Sequence, residues 1–443
     1  MEDMIRNIRE NAPDHKIIKD MIDEHRQEQL KSARKYQEYL GEVPIDKRDP
    51  KDPNKIDNRL KNDYRGMIVD TIVGYMFGEH VSYSLDPRQY SRQAYERNSE
   101  LLQSFVTRNN LADLDSQTGK MSSIAGYTGR LLYHDRQGKE KAVLVPPWEC
   151  IFIDDESKYE AQYAVRYYPV LVETSDGMKK RTKVEMYDDL HVYIYQEQPN
   201  GRYEQIEQRT HMYQRIPLIQ FKNNQELQGD FDKVAELIDA YDRTLSDVQN
   251  EVEEFRNAYM VFAGCEIDEE FLNQARQTGA IQLPEGANVQ YLTKDLSPEF
   301  FEQHKRTLRD NIIQFARTVD FQDEKFSGSS QSGEARKWKL LSLENKAVQK
   351  ERKFSEALYQ MFECLCTAWQ TRGYNIDPEH ISYEFARNLP ADLSHEAEVQ
   401  GMLKGKVSER TRLSQLSFIA DVDAEIEEMQ EEQEAQNQAL PGS

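Results

Sequence analysis

Two glycines at the spacing of a phosphate-binding loop are the strongest sign of chemistry in this sequence. Gly328 and Gly333 match the first half of a GxxxxGK[S/T] motif and precede a predicted helix. Glu334 and Ala335 occupy the positions of the lysine and the hydroxyl residue, and a carboxylate there would repel bound phosphates. The run SQTGKMS around Lys120 also lacks the upstream glycine and is interpreted as a loop. The sequence therefore indicates no nucleotide site.

Potential metal ligands and nucleophiles are scattered along the chain. The nine histidines show no HExxH or HxH spacing, and no serine lies in a GxSxG motif. Asp188, Asp189 and His191 form the closest cluster, for which a turn before a strand is favoured over a site for a hard cation. Cys364 and Cys366 lie two apart on a predicted helix and are interpreted as core residues. We predict no catalytic residue, no metal site and no cofactor.

The composition favours a subunit of an assembly over one compact globule. Of 443 residues, 38% are apolar and 31% are charged, and the mean hydropathy is -0.84. Such a chain suits an elongated subunit that obtains much of its burial from neighbours. The 24 tyrosines suit surfaces that are solvated before assembly and buried after it, because the side chain combines an apolar ring with a polar hydroxyl. The alternative is that they are scattered over the faces of ordinary sheets.

The net charge of -22 argues against a protein that grips nucleic acid, because tight binding needs many cations to displace counterions. An acidic surface repels DNA, which suits a channel through which DNA must slide without sticking. Beyond Arg412 there are eight acidic residues and no lysine or arginine, which predicts a solvated tail. No run is apolar enough for a membrane span or a signal peptide, so we expect the chain to be made and used in cytoplasm.

Helix and strand patterns alternate in long blocks, which predicts an α+β fold. Helical periodicity runs roughly from Asp14 to Leu40 and again from Leu60 to Ile72, after which Gly74 and Gly78 are expected to end the helix. From Met121 to Phe221, short apolar runs separated by polar turns predict an antiparallel sheet.

The second half is dominated by long amphipathic helices. One is predicted from Phe231 to Ala258, and another from Ser297 to Val319, where a capping serine precedes proline. The segment between them carries an acidic run and a turn, which indicates a small inserted module. A polar stretch from Asp320 to Gly333 has the composition of a flexible loop. A very long helix follows from about Glu334 to Arg372, with Leu341 among its predicted core residues.

Three segments of the chain resemble the portal proteins of long-tailed phages that infect Gram-positive bacteria. They are VDTIVGYMFGEHVSY, IPLIQFKNNQELQGDFDKVAELIDAYDRTLSD and SGEARKWKLLSLENKA, which begin at Val69, Ile216 and Ser332 and occur in the family's order. The resemblance spans roughly Asp14 to Glu428.

The resemblance implies a ring-forming subunit with a wing, a stem, a clip and a crown around an axial channel. It implies the following borders: wing 1–229, first stem helix 230–258, clip 259–296, second stem helix 297–319, tunnel loop 320–333, long wing helix and strand 334–390, crown 391–430 and acidic tail 431–443.

Two sets of site residues follow from this resemblance. The tunnel loop would face DNA in the channel, and the acidic clip would dock partner proteins. The clip residues are Glu266, Asp268, Glu269 and Glu270. The tunnel-loop residues are Gln322, Asp323, Glu324, Lys325, Phe326, Ser327, Gly328, Ser329, Ser330, Gln331 and Ser332.

The expected partners are those of a portal vertex in the virion capsid. They are further copies of the chain in a twelve-subunit ring, the terminase, head-completion or adaptor proteins, scaffold, the major capsid protein and double-stranded DNA. No membrane is expected. The alternatives are another structural oligomer of a virion, such as a head-tail adaptor or a scaffold, and an enzyme that acts on nucleic acid.

Overall fold

The structure is a computed structural model that describes residues 13–49, 56–154, 161–174, 177–256, 259–264, 285–292, 298–320, 333–388 and 399–413, with isolated positions at 269–283 and 416–429. The chain divides into two compact units, Met1–Arg387 and Asn388–Ser443. Within the described ranges, no helix combines the length and apolar character needed to cross a membrane.

The predicted helical blocks are present, because their apolar residues recur at helical spacing. Placing Leu60 on the second helix was wrong, since that helix begins at Tyr64 and Leu60 lies in the extended segment before it. The first predicted helix is confirmed to within a residue at each end. In the described part of the chain the α-helices are α1 (His15–Tyr39), α2 (Tyr64–Phe77), α3 (Arg92–Arg108), α4 (Leu111–Ala125), α5 (Ala235–Arg256), α6 (Pro298–Ala316), α7 (Gly333–Gln370) and α8 (Glu409–Leu413).

The strands are β1 (Ser82–Leu85), β2 (Tyr127–His134), β3 (Glu140–Val145), β4 (Cys150–Asp154), β5 (Ala161–Thr174), β6 (Gly177–Tyr187), β7 (His191–Glu197), β8 (Tyr203–Thr210), β9 (Leu218–Lys222), β10 (Tyr259–Ala263), β11 (Asn288–Leu292) and β12 (Ile381–Glu384). The predicted antiparallel region is confirmed, but it forms two sheets. One has the order β3-β2-β9 and the other β4-β5-β6-β7-β8, and every pair is antiparallel. Strand β1 pairs with β12.

The main core lies between α2, α3, α4, α7 and the three-stranded sheet, and Trp369 is its largest fully buried side chain. A smaller core forms where α1 covers the five-stranded sheet, with Ile18 packed among the apolar side chains of β4 to β7. In α7, Leu343 and Leu358 are buried as expected, but the prediction for Leu341 was wrong, because its side chain is 45% exposed.

Two glycine-based predictions were also wrong. The run SQTGKMS around Lys120 is not a loop but the middle of α4. Its small residues permit close packing, because a Cβ on Gly119 would lie 2.2 Å from the ring of Phe77. Gly74 does not end α2, which continues to Phe77 and stops only at Gly78. The buried neighbours of Gly74 outweigh the roughly 1 kcal/mol that glycine costs inside a helix.

The second unit, considered by itself, contains two short helical segments joined by a turn. Residues 399–403 form a helical segment and α8 follows. A 3.0 Å hydrogen bond from Arg412 Nη1 to Gln400 Oε1 joins the two segments. The acidic positions from 430 onward lie outside the described residues.

Candidate functional site

The two helices that the resemblance assigns to the stem pack along each other. Helix α5 follows a 3₁₀ turn at Asp232–Val234 and buries Ile238 and Tyr241, while α6 buries Leu308 and Ile312. Both predicted amphipathic helices are therefore confirmed as helices. The buried side chains of each helix recur at three- and four-residue steps, which places them on one stripe.

The module between these helices is built on a β-hairpin. Strand β10 pairs antiparallel with β11 from Tyr259↔Leu292 to Ala263↔Asn288. Of the predicted clip residues, Glu269 is helical and exposed. Glu266, Asp268 and Glu270 lie outside the described residues. In chain order this strand pair lies between α5 and α6.

The predicted tunnel-loop residues, Gln322 to Ser332, all lie outside the described residues, but both borders of the loop are described. At the first border, the amide of Thr318 donates a 3.2 Å bond to the carbonyl of Ile313. Asp320 forms an ion pair with Arg309 of α6. At the second border, α7 begins at Gly333.

A buried charge cluster joins α4 and α7 to the segment before α5, and we call it the Asp230 cluster. Lys350 Nζ lies 2.7 Å from Asp230 Oδ2, and Lys346 Nζ lies 3.3 Å from Oδ1 of the same carboxylate. The ammonium of Lys350 also donates to Ser123 Oγ at 2.6 Å and to Asn223 Oδ1. Helix α4, the end of β9, the segment before α5 and helix α7 therefore meet at one carboxylate.

The electrostatics of this cluster keep Asp230 ionised. Burial alone would raise the pKa of Asp230, but Lys346 and Lys350 outweigh it and hold that pKa below its ordinary value. Burial lowers the pKa of Lys350 to about 8 against the opposing attraction of Asp230. At neutral pH the cluster therefore contains a charged and fully hydrogen-bonded pair, and loss of either partner would strand a buried charge.

An extended segment, residues 58–62, runs along α5 and bonds to every fourth residue of that helix. The side-chain oxygens of Asn250, Ser246 and Asp242 accept the backbone amides of residues 58, 60 and 62 at 2.7, 2.9 and 3.0 Å. Two extended residues span about 6.6 Å, and four helical residues rise about 6 Å. The two repeats match, so residues 58–62 hold the middle of α5 along two turns of that helix.

A second connection between wing and stem passes through Arg65, whose side chain is fully buried. Its Nη2 lies 2.7 Å from Asp239 Oδ1 on α5, and its Nε lies 3.2 Å from Glu38 Oε2 on α1. Asp239 accepts a hydrogen bond from the guanidinium and Glu38 forms an ion pair with it, so the buried cation has two carboxylates as counter-charges, which a buried cation requires.

The other candidate clusters have structural roles. Asp188 Oδ1 accepts the amide of Leu190 at 2.7 Å before β7 begins at His191, so the predicted turn is confirmed. Cys364 and Cys366 are buried, as predicted for core residues. In the described ranges, no three side chains of His, Cys, Asp and Glu come together as a metal would require.

The order of elements and this geometry agree with the sequence model described as "Phage portal protein, SPP1 Gp6-like", which matches residues 18–439. The chain belongs to this phage portal protein family. The curated portal protein of Bacillus phage SPP1 is 26% identical and aligns with 95% of this chain and 86% of its own length. The portal protein of Clostridium phage phiCD119 is 22% identical over 86% of each chain.

Family membership confirms the resemblance and the α+β portal fold inferred from the sequence. It makes the chain a structural protein that forms an oligomeric ring at the phage capsid, through which DNA passes. Sequence reasoning did not find the Asp230 cluster or the bonds of residues 58–62 to this portal's stem. The sequence contained one indication of the Asp230 cluster, because Lys346 and Lys350 lie one turn apart on the same face of a helix that is otherwise packed.

Proposed function

We propose that this portal subunit assembles through its stem and wing into a ring of twelve copies at one vertex of the capsid. The ring passes double-stranded DNA during packaging and again during ejection. In this proposal the chain joins the vertex in the host cytoplasm during assembly and stays there in the virion.

Exposed apolar side chains on the stem carry the proposal for assembly. Val252 is 49% exposed on α5, while Phe300 and Phe315 are 63% and 53% exposed on α6. Large apolar groups on an otherwise acidic surface favour burial, and a neighbouring stem in a ring would provide it. Repeated contacts of this kind add up around a closed ring without any nucleotide or metal.

The chain's charge supports a conduit rather than a DNA-gripping protein. With a net charge of -22, the surface repels the phosphate backbone over most of its area. We assign the tunnel loop, residues 320–333, to the channel and the predicted domain borders to wing, stem, clip and crown. The ATP chemistry of packaging belongs in this proposal to the terminase, and the portal itself has no catalytic activity.

The clip is the proposed docking site for partners. Its β-hairpin lies between the distal ends of the stem helices, and Glu269 presents an exposed carboxylate there. Exposed charge of one sign suits transient electrostatic docking, first of the terminase and then of head-completion or adaptor proteins. Scaffold and major capsid protein are the proposed partners of the rest of the ring.

Negative-stain electron microscopy of the purified full-length chain, without nucleotide or divalent metal, tests the central proposal. We expect rings with a central hole and about twelvefold symmetry. As a matched test of the stem, Phe300→Ser with Phe315→Ser should shift the protein toward monomers, while Leu190→Ser, at an exposed apolar position of the wing sheet, should not. A wild-type chain that stays monomeric at micromolar concentration would refute the ring.

A further inference from the structure

A polar pocket of about 350 Å³ opens on the surface where α6 ends against α7. Two guanidinium groups and three neutral polar side chains line it, with one valine at its floor. The lining residues are Arg317, Ser342, Asn345, Val348, Gln349 and Arg352.

The pocket is formed by one face of a rigid helix and one unusual residue. Its α7 residues recur at three- and four-residue steps and therefore share one face of that helix. Arg317, the first residue after α6, has φ 53°, a left-handed conformation that is uncommon outside glycine. Its amide is held by a 3.2 Å bond to the carbonyl of Gln314. Arg317 is thus the left-handed residue that ends α6, a common way for a helix to stop, and it lies beside α7.

The charges around the pocket leave an anion as its complement. Among the residues that the structure describes, no carboxylate lines the pocket, and neither Arg317 nor Arg352 forms an ion pair. Of the acids described nearby, Asp320 pairs with Arg309. On α7, Glu344 and Glu351 both pair with Arg387. Within this described part, the pocket therefore presents two guanidinium groups and no carboxylate, in a chain of net charge -22.

We infer that this pocket binds a phosphodiester group of the double-stranded DNA that passes the ring. The inference rests on the proposed channel function and adds to it a specific contact. Guanidinium groups bind phosphate oxygens in a bidentate manner, and amide or hydroxyl donors complete the set. The pocket directly adjoins the start of the segment assigned to the tunnel loop. One such contact per subunit is weak alone and recurs around the ring, so DNA is positioned without being held.

Equilibrium binding of a short labelled DNA duplex to purified rings tests the inference, by fluorescence anisotropy over a series of salt concentrations. The test variant is Arg317→Gln with Arg352→Gln. The matched control is Arg136→Gln with Arg202→Gln, which removes the same charge from two exposed turns of the wing. Ring assembly of every variant is checked first by microscopy.

We expect the pocket variant to bind at least about tenfold more weakly than wild type at low salt, and its salt dependence to be shallower by about one to two counterions. The control should stay within about twofold of wild type. Equal binding by the pocket variant and the control, or no measurable binding by wild-type rings, would overturn the inference while leaving the ring itself intact. Loss of rings in the pocket variant alone would also overturn it, because the pocket would then hold a neighbouring subunit. Failure of wild-type rings to form would instead refute the proposed function.

Discussion

The ammonium group of Lys346 donates a 2.9 Å hydrogen bond to the backbone carbonyl oxygen of Ala316, the last residue of α6. A cation at the C-terminus of a helix satisfies a carbonyl that has no partner within the helix and opposes the helix dipole. The same group lies 3.3 Å from Asp230. The end of the second stem helix, where the predicted tunnel loop starts, is therefore tied to the buried cluster at the base of the first.

Replacing Lys346 by methionine should loosen this junction. Without the cation, the carbonyl of Ala316 loses its partner, and we expect the amides of Arg317 and Thr318 to exchange hydrogen at least about tenfold faster. Hydrogen-exchange mass spectrometry of assembled rings measures this. The control is Lys353→Met on the same helix, which removes only an exposed pair with Glu356. Equal protection in both variants would show that Lys346 does not hold the junction.

Breaking the buried pair should cost more than removing both partners. In Asp230→Asn the ammonium of Lys350 remains buried without its counter-charge, which typically costs about 3–5 kcal/mol. In the double variant Asp230→Leu with Lys350→Met, apolar groups replace that pair, and Lys346 keeps its hydrogen bond to the carbonyl of Ala316, so we expect a smaller loss. Urea unfolding at neutral pH compares the two. A double variant less stable than the single one would contradict the explanation based on a stranded charge.

Two helix-interior glycines should respond to alanine in opposite directions. A Cβ at Gly119 would lie 2.2 Å from the Phe77 ring. This ring cannot move easily because it packs against the Phe354 ring, with 5.0 Å between the two ring centroids. We expect Gly119→Ala to destabilise by about 1–3 kcal/mol. Gly74→Ala meets nothing within 4 Å and should stabilise by up to about 1 kcal/mol. Thermal unfolding gives both signs, and a shift of the same sign in both would be inconsistent with the packing described.

The long helices could be predicted from the sequence because their signal is local. Apolar residues recur at helical spacing through α5, α6 and α7, and serine followed by proline marks the start of α6. The strands of the wing were found for the same reason. The predictions at Gly74 and around Lys120 were wrong because small residues occur both at the ends of helices and where two helices pack closely. The sequence of one helix alone does not distinguish these two situations.

The contacts that fix the stem could not be predicted, because they join distant parts of the chain. Lys350 and Asp230 are 120 residues apart, and Asn58 and Asn250 are 192 apart. Nothing local distinguishes an asparagine that bonds across such a distance from one in an exposed turn. The pairing of β10 with β11 was not predicted for a related reason, since the whole inserted module separates these two strands in the sequence.

Reversing the charge of the clip should weaken docking of partners without affecting ring assembly. The variant changes Glu266, Asp268, Glu269 and Glu270 to lysine, and we expect at least about tenfold weaker binding of the terminase at moderate salt. Surface plasmon resonance on immobilised rings measures the affinity. The control reverses Glu96 and Glu100 in α3. Unchanged affinity in rings that form normally would remove the clip from the docking site.

Shortening the tunnel loop should impair the handling of DNA and leave assembly intact. The first border of the loop is fixed independently of its middle, by Lys346 on the carbonyl of Ala316 and by Arg309 on Asp320. Removing Ser327 to Gln331 therefore preserves both anchors and the helices that build the stem. Glycine and serine in this segment allow each copy a different conformation, which a ring around a helical polymer needs because the two symmetries differ.

Lys325 is flanked by Asp323 and Glu324, so attraction to phosphate is largely offset and the loop should touch DNA without gripping it. We expect normal rings and empty procapsids, with a severalfold loss of packaged or retained genomes, measured by nuclease protection of DNA in particles. The control exchanges the same five residues for a scrambled order of equal length and should package normally. Normal packaging and retention by the shortened variant would show that the loop has no role in the channel.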